Sequence, residues 1–226
     1  MRQSSKRVFK DSDISKVVSI LKKESRAWKP PVMSLNSVHG GDPFRILVST
    51  VLSLRTRDET TAAASARLFA EAKTPRGIIA LGEKRLRDLI YPVGFYKTKA
   101  ANIIELCARL ESDCGGKVPD TIDELTEFRG VGRKTANLVV TLGYGKPGIC
   151  VDIHVHRISN RLGYVSTKTP DKTEFALREK LPRKYWIEYN GLLVAFGQTV
   201  CKPVSPKCGE CPVRKLCMRV GVRSLA

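Results

Sequence analysis

At 226 residues the chain is long enough for one large or two small domains with buried cores. Hydrophobic residues make up 42% of it, and no apolar run approaches the ~20 residues of a membrane span, so a soluble globular protein is expected. Lys and Arg number 40 against 22 acids, giving +18 spread over the whole length with no low-complexity tail. A folded body of that charge calls for a polyanion, most economically nucleic acid; the bland alternative is a generally basic or ribosome-associated surface.

In chain order the pattern is helical. Asp11 to Asp13 are placed to cap an amphipathic helix from Ile14 to about Glu24, with Val17, Val18 and Leu21 on one face. Pro30, Pro31 and the segment Ser37–Pro43, with its Gly40-Gly41 pair, predict a loop. Phe44 to Leu54 reads as buried and apolar. Thr56 and Glu59 have the spacing of a capping box, opening an alanine-rich helix through Ala72. Short helices are expected from Thr74-Pro75 and from Glu83, the second ending by Pro92. Lys97 to about Ser112 predicts a longer helix, and Val118-Pro119-Asp120 starts another. Alternating strand patterns and internal repeats are absent, so the expected fold class is all-α.

The run Leu125-Thr126-Glu127-Phe128-Arg129-Gly130-Val131-Gly132-Arg133-Lys134-Thr135-Ala136-Asn137 carries apolar positions on both sides of its glycines. It predicts two short helices joined by a tight Gly130-Val131-Gly132 turn, where glycine permits positive φ and close approach. The turn's N–H groups and the next helix start suit one DNA phosphate, held without reading sequence. A plain helix–helix connection is the alternative; the glycine and lysine spacing is wrong for a P-loop.

Four cysteines, Cys201, Cys208, Cys211 and Cys217, crowd the last 26 residues as C-x6-C-x2-C-x5-C. The other three, Cys107, Cys114 and Cys150, are scattered and read as ordinary packing residues. Nothing resembles a secretory signal, which disfavours disulfides. Zinc usually takes two separated C-x2-C knuckles and only Cys208/Cys211 is present. One compact segment of four thiolates favours an iron–sulfur cluster and leaves zinc open.

The hairpin residues Gly130 to Asn137, the run Val151-Asp152-Ile153-His154-Val155-His156-Arg157 and the tail cysteines together closely resemble endonuclease III, a DNA glycosylase with AP-lyase activity. Leu89 to Phe95 and Asn190 to Gln198 extend the likeness, which runs from about Asp42 to Cys217. The resemblance implies a [4Fe–4S] cluster on the four cysteines, structural rather than catalytic. It implies two helical domains with DNA across a cleft between them: a six-helix barrel over 37–146, with the helix-hairpin-helix at about 121–144, and a discontinuous cluster domain of 1–36 plus 147–226, with its cluster loop at 201–217.

Lys134 then matches the family's catalytic lysine. A protonated amine cannot attack carbon, and a helix start beside Arg133, together with partial burial, favours the neutral form. Asp152 alone reads as an N-cap; by resemblance it also helps deprotonate the lysine and stabilises the cationic sugar. Arg55 falls where the family commonly inserts a glutamine into the gap left by the extruded base, and Phe95 matches the second wedge. Lys202 and Lys207 lie on the loop that the cluster holds toward phosphates. His154 and His156, at i and i+2 on a helix, diverge too far for a metal pair and read as structural or DNA-facing. The implied enzyme removes oxidised pyrimidines from damaged double-stranded DNA and cleaves 3′ to abasic sites by β-elimination. A monomer without membrane contact, in a prokaryotic cytoplasm and nucleoid-associated through DNA, is the expected setting. Two other functions compete. A monofunctional mismatch glycosylase of adenine type should carry a carboxylate in Phe44–Thr56, where there is none; a non-catalytic DNA-binding module would have no use for both Lys134 and Asp152.

Overall fold

The computed structural model describes residues 8–28 and 40–222. Among these there are ten α-helices and no strand, so the chain is all-α. The predicted loop residues Pro30, Pro31 and 37–39 lie outside the described residues, while Gly40 and Gly41 follow as a turn.

Helix α1 spans Asp13–Ser25 and buries Ile14, Val17, Val18 and Leu21. The predicted aspartate cap is not formed. Instead Asp13 sits inside the first turn and its carboxylate accepts from Lys10 N–H at 3.1 Å, closing the turn that leads into the helix. Helix α2, Pro43–Ser53, is capped by Asp42, whose carboxylate accepts from the N–H groups of Phe44 and Arg45. Helix α3, Asp58–Glu71, lacks the expected capping box: its N-cap is Arg57, with no side-chain bond. Thr56 Oγ1 has other partners, accepting from Gly94 N–H and Lys99 Nζ.

Helix α4, Pro75–Ile90, is two short helical segments, as expected, meeting at Gly82, whose φ of 70° and ψ of 163° no helix tolerates. Helix α5, Tyr96–Cys114, ends on a left-handed Gly115. Helix α6, Ile122–Thr126, begins later than Val118-Pro119-Asp120 because Thr121 is the cap, accepting from Glu124 N–H at 3.3 Å. Helix α7, Arg133–Leu138, runs on into a π-helical turn, Val139–Gly143. Then come α8, Ile153–Leu162, α9, Pro170–Lys180, and α10, Trp186–Thr199, the last entered through a 3-10 turn at Arg183–Tyr185.

The chain divides into two compact units, Ser34–Gly148 and Met1–Met33 with Ile149–Ala226. The first contains α2 to α7, closed around Leu47, Leu68, Ile78, Leu86, Ile103, Leu110, Leu125 and Val139. The second contains α1 and α8 to α10, around Val17, Leu21, Val155, Ile158, Leu193 and Phe196, with Trp28 stacked on Phe196. No helix among the described residues is long and apolar enough to cross a membrane.

Candidate active site

In the hairpin, Phe128 and Val131 are buried and Val131 N–H donates to Phe128 O at 3.0 Å, which closes the turn between α6 and α7. Its two glycines differ. Gly130 holds φ +82°, a conformation that demands glycine. Gly132 has an ordinary φ of −90°, and a Cβ added there would meet nothing within 4 Å. Neither backbone nor internal packing requires glycine at 132, so the open space faces outward. The first-turn N–H groups of α7 start from that bare edge. Lys134, two residues on, is exposed, while Thr135, Ala136 and Asn137 beside it are buried and anchor the helix. The partial burial expected for Lys134 is therefore absent from the protein alone. Arg133, its neighbour, stands 3.9 Å from the exposed Asp123 carboxylate.

Arg55 and Phe95 come from separate loops and meet, the guanidinium lying 5.8 Å from the ring centroid. Both backbones are left-handed, with φ 53° and 59°, and both side chains are exposed.

Asp152 is the N-cap of α8. Its Oδ1 accepts from His154 N–H and Val155 N–H, each at 2.9 Å. Both bonds use one oxygen. Ile153, next along, is 66% exposed despite being apolar. His156 Nδ1 pairs with Thr173 Oγ1 at 2.6 Å and His154 Nδ1 with Arg157 at 3.2 Å, so both imidazoles face protein partners.

Cys201, Cys208, Cys211 and Cys217 line one largely apolar cavity with Arg161 and Val213. No three ligating side chains among the described residues converge on a single-ion point. A cubane takes one thiolate at each of its irons, and the four cysteines around this one cavity supply that number. Hydrogen bonds to sulfur are also in place: Arg161 Nη1 reaches Cys201 Sγ at 3.5 Å and Arg219 N–H reaches Cys217 Sγ at 3.3 Å. Burial pushes the Cys211 thiol up to about 11 and that of Cys217 upward too, a cost that iron's charge removes on binding. Of residues 201–222 only Val213 is fully buried. One buried aliphatic side chain, with Leu216 and Met218 half-buried beside it, is little core for a segment of this length. The segment needs a cross-link.

Two residues passed over in the sequence matter here. Arg161 donates to Lys202 O at 2.7 Å and Pro203 O at 2.8 Å, fixing the backbone that carries Lys202. Lys207 is exposed and pairs loosely with Glu210 at 3.7 Å. Lys99 is a buried lysine contacting the Arg55 loop. Its one sequence signal is register, since 99 lies on the same helical stripe as the buried positions 103, 106 and 110.

Residues 48–183 match the HhH-GPD superfamily of base excision DNA repair proteins. Endonuclease III of Thermotoga maritima is 50% identical over 176 residues, covering 78% of this chain and 83% of that protein. The chain belongs to the endonuclease III family. Residues 201–217 match the iron–sulfur binding domain of endonuclease III, so this family member carries the [4Fe–4S] cofactor. It is a base-excision repair enzyme, a DNA glycosylase of the endonuclease III kind. Longer plant and animal relatives extend beyond it, the chain spanning 47% of one and 65% of another. Among solved structures, a non-covalent endonuclease III–DNA complex is 34% identical with a TM-score of 0.82, covering 93% of this chain and 96% of that one. A trapped endonuclease III–DNA covalent intermediate is 33% identical with a TM-score of 0.81 and the same coverage.

Proposed function

We propose that this endonuclease III-family enzyme excises oxidised pyrimidines such as thymine glycol from damaged duplex DNA, and nicks abasic sites, with Lys134 as nucleophile and Asp152 as its partner. The observation that carries the reading is Gly132, a glycine the protein itself does not need, which opens the backbone two residues before an exposed lysine. A phosphate seated on the Gly130-Val131-Gly132 edge brings the sugar of the lesion within reach of Lys134 Nζ.

The neutral amine attacks C1′ and the N-glycosidic bond breaks, the base leaving with a proton. Loss of the amine proton and opening of the sugar give a Schiff base. The imine acidifies the 2′ hydrogen, and its removal expels the 3′ phosphate. Asp152 accepts the lysine proton and faces the developing positive charge at C1′. Its cap bonds both use Oδ1, which supports an Oδ2 at liberty for that task. Bound DNA excludes water around Lys134, supplying the desolvation that the exposed side chain lacks alone. Arg55 and Phe95 fill the gap left by the extruded nucleotide. Cys201, Cys208, Cys211 and Cys217 would each hold one iron of the cluster, whose bonds cross-link the segment and present Lys202 and Lys207 to phosphates. The reading takes the protein to act as a monomer in a prokaryotic cytoplasm, associated with the nucleoid through DNA; its +18 charge and its bacterial relative support that setting.

Borohydride trapping on duplexes carrying thymine glycol or an abasic site tests the assignment. Wild type is expected to give a covalent adduct and a nicked strand, and Lys134→Gln to lose both while still binding the lesion. An adduct formed by Lys134→Gln at the wild-type rate would make another amine the nucleophile. Base removal without trapping or nicking in wild type would instead mark a monofunctional glycosylase.

A further inference from the structure

Beneath Arg55 and Phe95 a single side chain ties their two loops together. Lys99 lies in the first turn of α5 and is 7% exposed. Its backbone N–H donates to Phe95 O at 3.0 Å. Its ammonium donates to Leu52 O at 2.7 Å, Leu54 O at 2.6 Å and Thr56 Oγ1 at 3.0 Å. Three donors thus meet three oxygens, the most a lysine can satisfy. Two of those oxygens are carbonyls at the C-terminal end of α2, unpaired within the helix and carrying the negative end of its dipole.

This arrangement is costly. Burial lowers the Lys99 ammonium to about 8, and no carboxylate pairs with it among the described residues. A methionine would fill the same space without placing charge in the core. What the ammonium adds is position. Thr56 Oγ1, which it holds, also accepts from Gly94 N–H at 3.2 Å, linking the first loop to the second. The loops pack so closely that a Cβ at Gly94 would come within 2.7 Å of Arg55 O. Arg55 and Phe95 both keep left-handed backbones, which are unfavourable for non-glycine residues and persist only where neighbours impose them.

We propose that Lys99 is a positioning residue for nucleotide extrusion, locking the loops of Arg55 and Phe95 into one preformed wedge that enters the DNA stack as a unit. The proposal rests on the reading of Arg55 and Phe95 as gap-filling residues. A wedge matters only where a nucleotide, with or without its base, must leave a duplex; an abasic site in single-stranded DNA has no opposing strand and no stack to replace.

The test compares single-turnover nicking of an abasic site in duplex and in single-stranded DNA at saturating enzyme. Lys99→Met is expected to slow the duplex reaction about 10–100-fold, the scale of a misplaced side chain, while changing the single-strand rate little. Thr56→Val, which keeps shape and removes only the bridging hydroxyl, shifts the same ratio less and serves if Lys99→Met does not fold. On an Arg55→Ala background Lys99→Met should add less than on wild type, because both act through one wedge. Parallel losses on both substrates, an unchanged duplex rate, or effects that multiply with Arg55→Ala would overturn the clamp. If Arg55→Ala and Phe95→Ala leave the duplex to single-strand ratio unchanged, the gap-filling reading itself fails. That result is separate from a clamp that fails while the wedge passes.

Discussion

Asp152 is asked to do two jobs, and one substitution separates them. Asparagine caps helices about as well as aspartate, so Asp152→Asn keeps both bonds to His154 and Val155 and leaves α8 intact. It cannot take a proton or offset a cationic sugar. Base excision is expected to fall on the order of 10²–10⁴-fold with unchanged helicity and lesion binding, read by single-turnover kinetics beside circular dichroism and titration. A variant that excises normally would leave Asp152 as a cap alone. At this scale the sequence was informative where function and local structure agree. Asp152 is legible as a cap from its place before an amphipathic run, and Lys134 from the hairpin motif. Thr56 was misleading, because its spacing to Glu59 is local while its actual partners, Gly94 and Lys99, lie 38 and 43 residues away. The exposure of Lys134 was equally hidden, since burial depends on what packs above a residue.

The helices themselves follow from period and punctuation, and most of them could be placed before any coordinates. Their ends were less legible. The start of α6 at Ile122 depends on which of Asp120 and Thr121 caps it, and the π-helical turn at Val139–Gly143 has no signal in an apolar run that suits an α-helix equally well. For the hairpin, the difference between Gly130 and Gly132 sharpens the experiment. Gly130→Asp strains a φ of +82° as well as blocking the surface, whereas a Cβ at Gly132 meets no protein atom within 4 Å. Gly132→Asp should therefore retain wild-type thermal stability and weaken damaged and undamaged duplexes together, since the edge reads backbone and not base. The wild-type affinity it erodes should fall steeply with salt, with a log–log slope of several units. Unaltered DNA affinity in the stable Gly132 variant would remove the hairpin from the interface.

For the whole molecule, composition announced the partner and the cysteines announced a metal, but neither spacing nor charge chose between zinc and iron; the family likeness did. The protein is expected to be isolated brown, with about four iron and four sulfide per chain. Stoichiometric zinc with no sulfide in anaerobically prepared, fully loaded protein would refute that. Chelating the iron, or replacing any of the four cysteines by serine, should loosen residues 201–222 first, because Val213 alone is fully buried there. Trypsin should then cut at Lys207, Arg214 and Lys215 while the chain up to the cluster loop resists; equal resistance of loaded and stripped protein would argue against it. Lys207, read as a phosphate contact when the cluster is present, would become a protease site when it is lost. A copy that never received iron would thus lay open the very segment its cluster otherwise ties down.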